Sequence, residues 1–200
     1  MNFDQEEVLY EFLDTVITPF TLEEAAAHIM SGAKHNKRLM MEIAAYLDTR
    51  KIAFRQDNKR WVSRRGCFES AVFVISPTRL ELLNGILIPG HRCVPFANPA
   101  VLQNSYEFFW KGSLVPVTTT EAPPQDLYPY YCIFGEEFAP QYIARENPQN
   151  EEAFNADPYE APPEVSIHTL DMRSIYRESA FVPGDRFVVR ITDWKQCRFE

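Results

Sequence analysis

Lys51-Ile52-Ala53-Phe54-Arg55-Gln56-Asp57-Asn58-Lys59-Arg60-Trp61-Val62-Ser63 is the stretch whose reading decides the fold. Lys51 to Arg55 alternates as a strand does, Gln56-Asp57-Asn58-Lys59 is a turn cluster, and Arg60-Trp61-Val62-Ser63 returns. Upstream the apolar period is that of helices. Val8, Leu9, Phe12, Leu13, Val16 and Ile17 share one face of a first helix, which Pro19 stops. Thr21-Leu22-Glu23-Glu24 reads as a capping box that opens a short Ala-rich helix ending near Ser31-Gly32. A third helix begins near Asn36, with Leu39, Met40, Ile43, Ala44 and Leu47 on one face. Lys37, Arg38, Met41, Glu42 and Ala45 lie on or near the other.

Beyond residue 66 the pattern changes. Ser70 to Ile75 reads as a buried strand closed by Ser76-Pro77, and Asn84-Gly85 between Leu80-Leu83 and Ile86-Ile88 reads as a hairpin turn. Cys93 to Phe96 and Leu114 to Val117 add short strands around the aromatic cluster Tyr106, Phe108, Phe109 and Trp110. Several short strands at regular spacing predict a barrel-like or rolled sheet. Core packing is the expected fate of the aromatic cluster, and stacking of bases is the other reading. Eight prolines fall between residues 121 and 164, and residues 147–163 read as an exposed acidic Pro-rich loop. Val165 to Leu170 and Phe187 to Ile191 read as strands, with a short helix over Met172 to Glu178. Pro89-Gly90 and Pro183-Gly184 sit in similar octapeptides and read as two independent uses of one turn. The fold class expected is α+β, divided into 1–66 and 67–200. Strand-like sequence runs almost to Glu200, as it would in the front portion of a longer polypeptide.

Three helices followed by a hairpin in the first 66 residues resemble the winged-helix branch of the helix-turn-helix superfamily. Many such domains place a Gly after the third helix, where Thr49-Arg50-Lys51 stands here. The resemblance implies that the third helix enters the major groove and the hairpin touches the backbone. On that basis Lys37 and Arg38 lie at the start of a recognition helix, Arg55, Lys59 and Arg60 on the wing, and Arg64 and Arg65 at its exit. Met41, Glu42 and Ala45 would face base edges; none is a good hydrogen-bond donor.

Charge sharpens this. The 200 residues carry a net −8, which argues against a chain that coats nucleic acid by bulk charge. Residues 34–65 nevertheless hold ten bases against three acids (Glu42, Asp48, Asp57), whereas 67–200 holds 18 acids against ten bases. The expected function is therefore non-catalytic binding of duplex nucleic acid, with a regulatory role for the acidic remainder. The alternative is an interaction or assembly module, in which the winged helix is a scaffold and the acidic region meets a basic protein partner.

Other chemistry has little to stand on. Cys67, Cys93, Cys132 and Cys197 lack metal-site spacing, so reduced thiols, no metal and no cofactor are expected. There is no Gly-rich phosphate loop, and no motif anchors a catalytic residue. The acidic start Met1-Asn2-Phe3-Asp4-Gln5-Glu6-Glu7 is unlike a secretory signal, and no run of about 20 apolar residues exists; the expectation is a cytoplasmic chain without membrane contact.

Overall fold

The computed structural model describes residues 1–30, 37–157 and 160–200. The chain is mixed α+β and forms two compact units, Met1–Ala71 and Val72–Glu200.

The N-terminal unit opens with α1 (Phe3–Thr15), where the Asn2 side chain accepts the Gln5 amide at 2.9 Å and Gln5 accepts the Asn2 amide at 3.1 Å. After β1 (Phe20–Thr21), the expected capping box starts α2 (Leu22–Ile29), with Thr21 accepting from the Glu24 amide and Glu24 from the Thr21 amide. The end expected at Ser31-Gly32 and the start expected at Asn36 lie outside the described residues. Then come α3 (Lys37–Arg50), β2 (Ala53–Arg55), β3 (Arg60–Ser63) and α4 (Arg64–Phe68). The strands form one antiparallel sheet in the order β1-β3-β2, with Phe20 opposite Trp61 and Ala53 opposite Ser63. Leu39, Ile43 and Leu47 recur every four residues on α3 and bury against Leu9, Leu13, Phe20, Ala25 and Trp61. Each buried Leu or Ile contributes about 1.5–3 kcal/mol relative to exposure.

The missing Gly after α3 is explained at Lys51. Its φ of 55° is left-handed, and its amide donates to the Leu47 carbonyl at 3.0 Å, so a lysine fills the glycine position of the helix end.

The C-terminal unit runs β4 (Val72–Ile75), α5 (Arg79–Asn84), β5 (Ile86–Leu87), β6 (Glu107–Trp110), β7 (Ser113–Leu114) and β8 (Val117–Ala122). It continues with α6 (Pro124–Tyr131), α7 (Ala139–Ala144), α8 (Pro148–Ala156), β9 (Val165–Asp171), α9 (Arg173–Glu178), β10 (Phe187–Asp193) and β11 (Arg198–Phe199). A five-stranded sheet has the order β4-β10-β11-β6-β7 and a three-stranded one β5-β9-β8.

Both sheets are open, so the barrel expectation is corrected. β7 and β8 are edges whose outward residues meet solvent, and nothing pairs with their free sides among the described residues. Nor is β4 buried on both faces: Phe73 and Ile75 point inward, while Val72 and Val74 are exposed. Asn84-Gly85 is not a hairpin turn. Thr78 and Glu81 form a capping box that opens α5, and Gly85 at φ 68° ends it. Cys93 to Phe96 is a turn rather than a strand.

The acidic loop expected at 147–163 contains α8, because Asn147 caps its start and Pro148 stands in its first turn, where a missing amide costs nothing. The two Pro-Gly pairs are used differently: Gly90 starts a 3-10 turn, and Gly184 lies in a turn shortly before β10.

Two cores hold the unit. Ile88, Leu127, Tyr130, Tyr131, Ile143 and Ile167 pack the helices on the small sheet. Phe73 stacks on Phe96 and Phe108 on Phe199, at 4.4 and 5.1 Å between centroids; of the aromatic cluster, Tyr106 and Phe108 are core, while Phe109 and Trp110 are half-buried.

Candidate nucleic-acid interface

The outward face of α3 starts with two exposed cations, Lys37 and Arg38, and its first turn has no acid. Helix amides at an N-terminus carry partial positive charge, so cations here add to a field that draws anions. Met41 follows at 66% exposure, then Glu42 and Ala45. The far end of the helix presents Arg50 and, just after it, Lys51, two exposed cations that the wing-based reading left out. Lys37 and Asp48 are about 16 Å apart along the axis at 1.5 Å per residue.

The hairpin comes next. Asp57 Oδ1 accepts the amides of Lys59 and Arg60, both at 2.8 Å, which closes the turn between β2 and β3. Those amides and the Arg60 guanidinium hold the Asp57 carboxyl down to about 2. Arg55 sits over the Trp61 ring at 5.0 Å and reaches Asp48 at 3.6 Å, tying the hairpin base to the end of α3. Arg55, Lys59 and Arg60 are exposed.

Arg64 and Arg65 behave otherwise. They begin α4 and are half-buried; Arg64 lies over Phe68, and Arg65 pairs with Glu69 at 2.9 Å and donates to the Asp14 carbonyl. The seven residues thus divide into five exposed cations on α3 and the hairpin and two that brace α4. Set against known protein families, curated proteins and solved structures, the chain matches none of them.

Counter-charges are built into the same surface. Glu42 accepts from Arg38 at 2.9 Å and from the Met1 amino group at 2.8 Å, and these bonds, the amino group's first, lower its carboxyl pKa. Arg60 pairs with Asp57 at 2.7 Å. The acids named from sequence as the minority in 34–65 are thus direct partners of the cations, which charge counting along the chain does not reveal.

Among the described residues no three His, Cys, Asp or Glu side chains are grouped to hold a metal, and no helix is long and apolar enough to cross a membrane. All four cysteines are free, and burial pushes the Cys93 thiol up to about 12.

Proposed function

We propose that the N-terminal unit is a winged-helix domain that binds duplex nucleic acid through its phosphates. The element order α1-β1-α2-α3-β2-β3 and the sheet order β1-β3-β2 support the domain reading. The observation that carries the function is the exposure of Lys37, Arg38, Arg55, Lys59 and Arg60 on α3 and the adjoining hairpin. The Arg55–Asp48 and Arg60–Asp57 pairs are solvent-exposed, and such pairs contribute only about 0–1 kcal/mol, so a phosphate displaces these carboxylates at little cost. Glu42, half-buried between Arg38 and the Met1 amino group, is the carboxylate that opposes binding.

Met41 and Ala45 offer no donors to base edges, so binding is indifferent to sequence. About five phosphate contacts set a slope of roughly −4 to −5 in log affinity against log salt. Anisotropy of a labelled mixed-sequence duplex measures it. Replacing Lys37, Arg38, Lys59 and Arg60 together with Ala abolishes binding on this reading; unchanged binding overturns the assignment.

A second reading rests on Met41. A large apolar side chain exposed amid charged neighbours on a helix also suits a protein partner. Absence of duplex binding at low salt favours that reading.

A further inference from the structure

The two sides of the β5-β9-β8 sheet are finished differently. Where β5 does not reach along β9, side chains close the edge. The Ser166 amide donates to the Asn150 side chain at 2.9 Å, and the Asn150 and Asn147 side-chain amides donate to the Ser166 carbonyl at 2.7 and 2.8 Å. On the opposite side β8 is left open.

The register fixes which groups it leaves open. The Asp171 amide donates to the Pro116 carbonyl at 2.9 Å, and pairing runs without a bulge from Val117 opposite Leu170 to Ala122 opposite Val165. Bonded and non-bonded pairs alternate in such a ladder, so Thr118, Thr120 and Ala122 bond to β9. The amides and carbonyls of Val117, Thr119 and Glu121 therefore point away from the sheet. These three residues are exposed, and their backbone groups have no partner among the described residues. They repeat every ~6.8 Å, the spacing at which an added strand bonds.

Edge strands are ordinarily blunted by lysine, proline, a bulge or short length. β8 uses none of these. It has six residues, where the edges β1, β2, β4, β5 and β7 have two to four, and Pro116 and Pro123 flank it without interrupting it.

Charge selects the partner. Glu121 is the one charged side chain on β8, and it shares a cleft of about 160 Å³ with Glu164 and Gln149. No cation lines that cleft, and neither carboxylate has an ion-pair partner among the described residues. A second copy would bring like charge to this edge, because residues 121–164 hold ten acids and one base.

We propose that β8 takes up an extended segment of another protein as an added antiparallel strand, with a lysine or arginine of that segment opposite Glu121. Main-chain bonds to Val117, Thr119 and Glu121 hold the segment, and the cation sets its register. The site lies wholly in the C-terminal unit and does not depend on duplex binding.

The probe is the peptide acetyl-KTVTVT-amide, whose lysine meets Glu121 when its valines lie opposite Thr119 and Val117. Added to the isotope-labelled full chain, it shifts the amide resonances of Val117, Thr119 and Glu121 and slows their exchange with solvent. The amides of Thr118 and Thr120, already bonded to β9, keep their exchange rates. Acetyl-ETVTVT-amide binds about three- to tenfold more weakly at low salt. Thr119→Pro abolishes binding and leaves the pairing with β9 intact, since an edge strand accepts proline where its amide faces solvent. Glu121→Gln keeps the binding and narrows the difference between the two peptides. Resonances of β8 that stay in place at millimolar peptide, or equal affinity for the two peptides, overturn the proposal. Shifts at the same amides that grow with protein concentration alone overturn it too, and make a second copy the occupant.

Discussion

Arg92 closes on Glu81, whose carboxylate no solvent reaches. The same carboxylate accepts the amides of Thr78 and Ile88, both at 2.7 Å, and so joins the start of α5 to the chain beyond β5. Arg92 in turn lies over the Tyr130 ring at 5.2 Å and donates to the Ile88 carbonyl. Arg92→Met leaves a buried carboxylate without its counter-charge, and breaking such a pair costs about 3 kcal/mol. The urea midpoint of the C-terminal unit falls accordingly. A change under about 1 kcal/mol would show that water reaches Glu81 in the variant and replaces the guanidinium.

Lys51 holds the left-handed position after α3, where a side chain strains the backbone and glycine does not. Lys51→Gly therefore stabilises the N-terminal unit by about 0.5–1 kcal/mol, read as a rise in thermal midpoint. The same change removes one exposed cation, so duplex affinity declines slightly while stability rises.

Legibility followed the locality of each signal. The N-terminal unit was readable because its cues are self-contained: Thr21 and Glu24 cap α2 three residues apart, and Leu39, Ile43 and Leu47 fix the buried face of α3. Asn84-Gly85 misled because one dipeptide serves two purposes. A left-handed glycine suits a tight hairpin and a helix end alike, and the capping box at Thr78 decides between them.

Proline misled for a related reason. Pro148, inside the stretch read as a loop, stands in the first turn of α8 and opens the helix rather than forbidding it, as Pro124 and Pro140 do for α6 and α7. At the candidate interface, exposure of Lys37 and Arg38 was legible from helical phase. The diversion of Arg65 to Glu69 and the Asp14 carbonyl was not, since Asp14 is 51 residues away in sequence.

Glu42 lies on the proposed binding face between Arg38 and the Met1 amino group. A carboxylate there repels phosphate and occupies the Arg38 guanidinium. Glu42→Gln removes the charge, keeps the shape, and raises duplex affinity by a few-fold at low salt, with the gain shrinking as salt screens it. Affinity that falls or stays level in anisotropy titrations moves the contact away from the first turns of α3 and favours the protein-partner reading built on Met41.

His91 gives the C-terminal unit a pH response between 6.5 and 4. Its ring is 3% exposed, neither nitrogen has a hydrogen-bond partner among the described residues, and Tyr131, Phe134 and Tyr142 surround it with centroids 4.4–5.5 Å away. Burial among these rings pulls its pKa down to about 4, below the 6.5 of a free imidazole. Above pH 6.5 the ring is neutral whether folded or not, and its contribution does not depend on pH. Between 6.5 and 4 the unfolded chain takes up a proton that the folded one refuses, so stability falls as pH drops. The loss is complete below about pH 4 and amounts to at most about 3 kcal/mol. His91→Phe removes the titrating group and two unpaired polar atoms while keeping an aromatic ring in the cage. That variant is more stable than the wild type already at pH 7.5, and its advantage widens as the pH falls from 6.5 to 4. Urea midpoints at five pH values give the comparison. Parallel curves for the two proteins would show that a partner, such as an ordered water, satisfies the imidazole in solution.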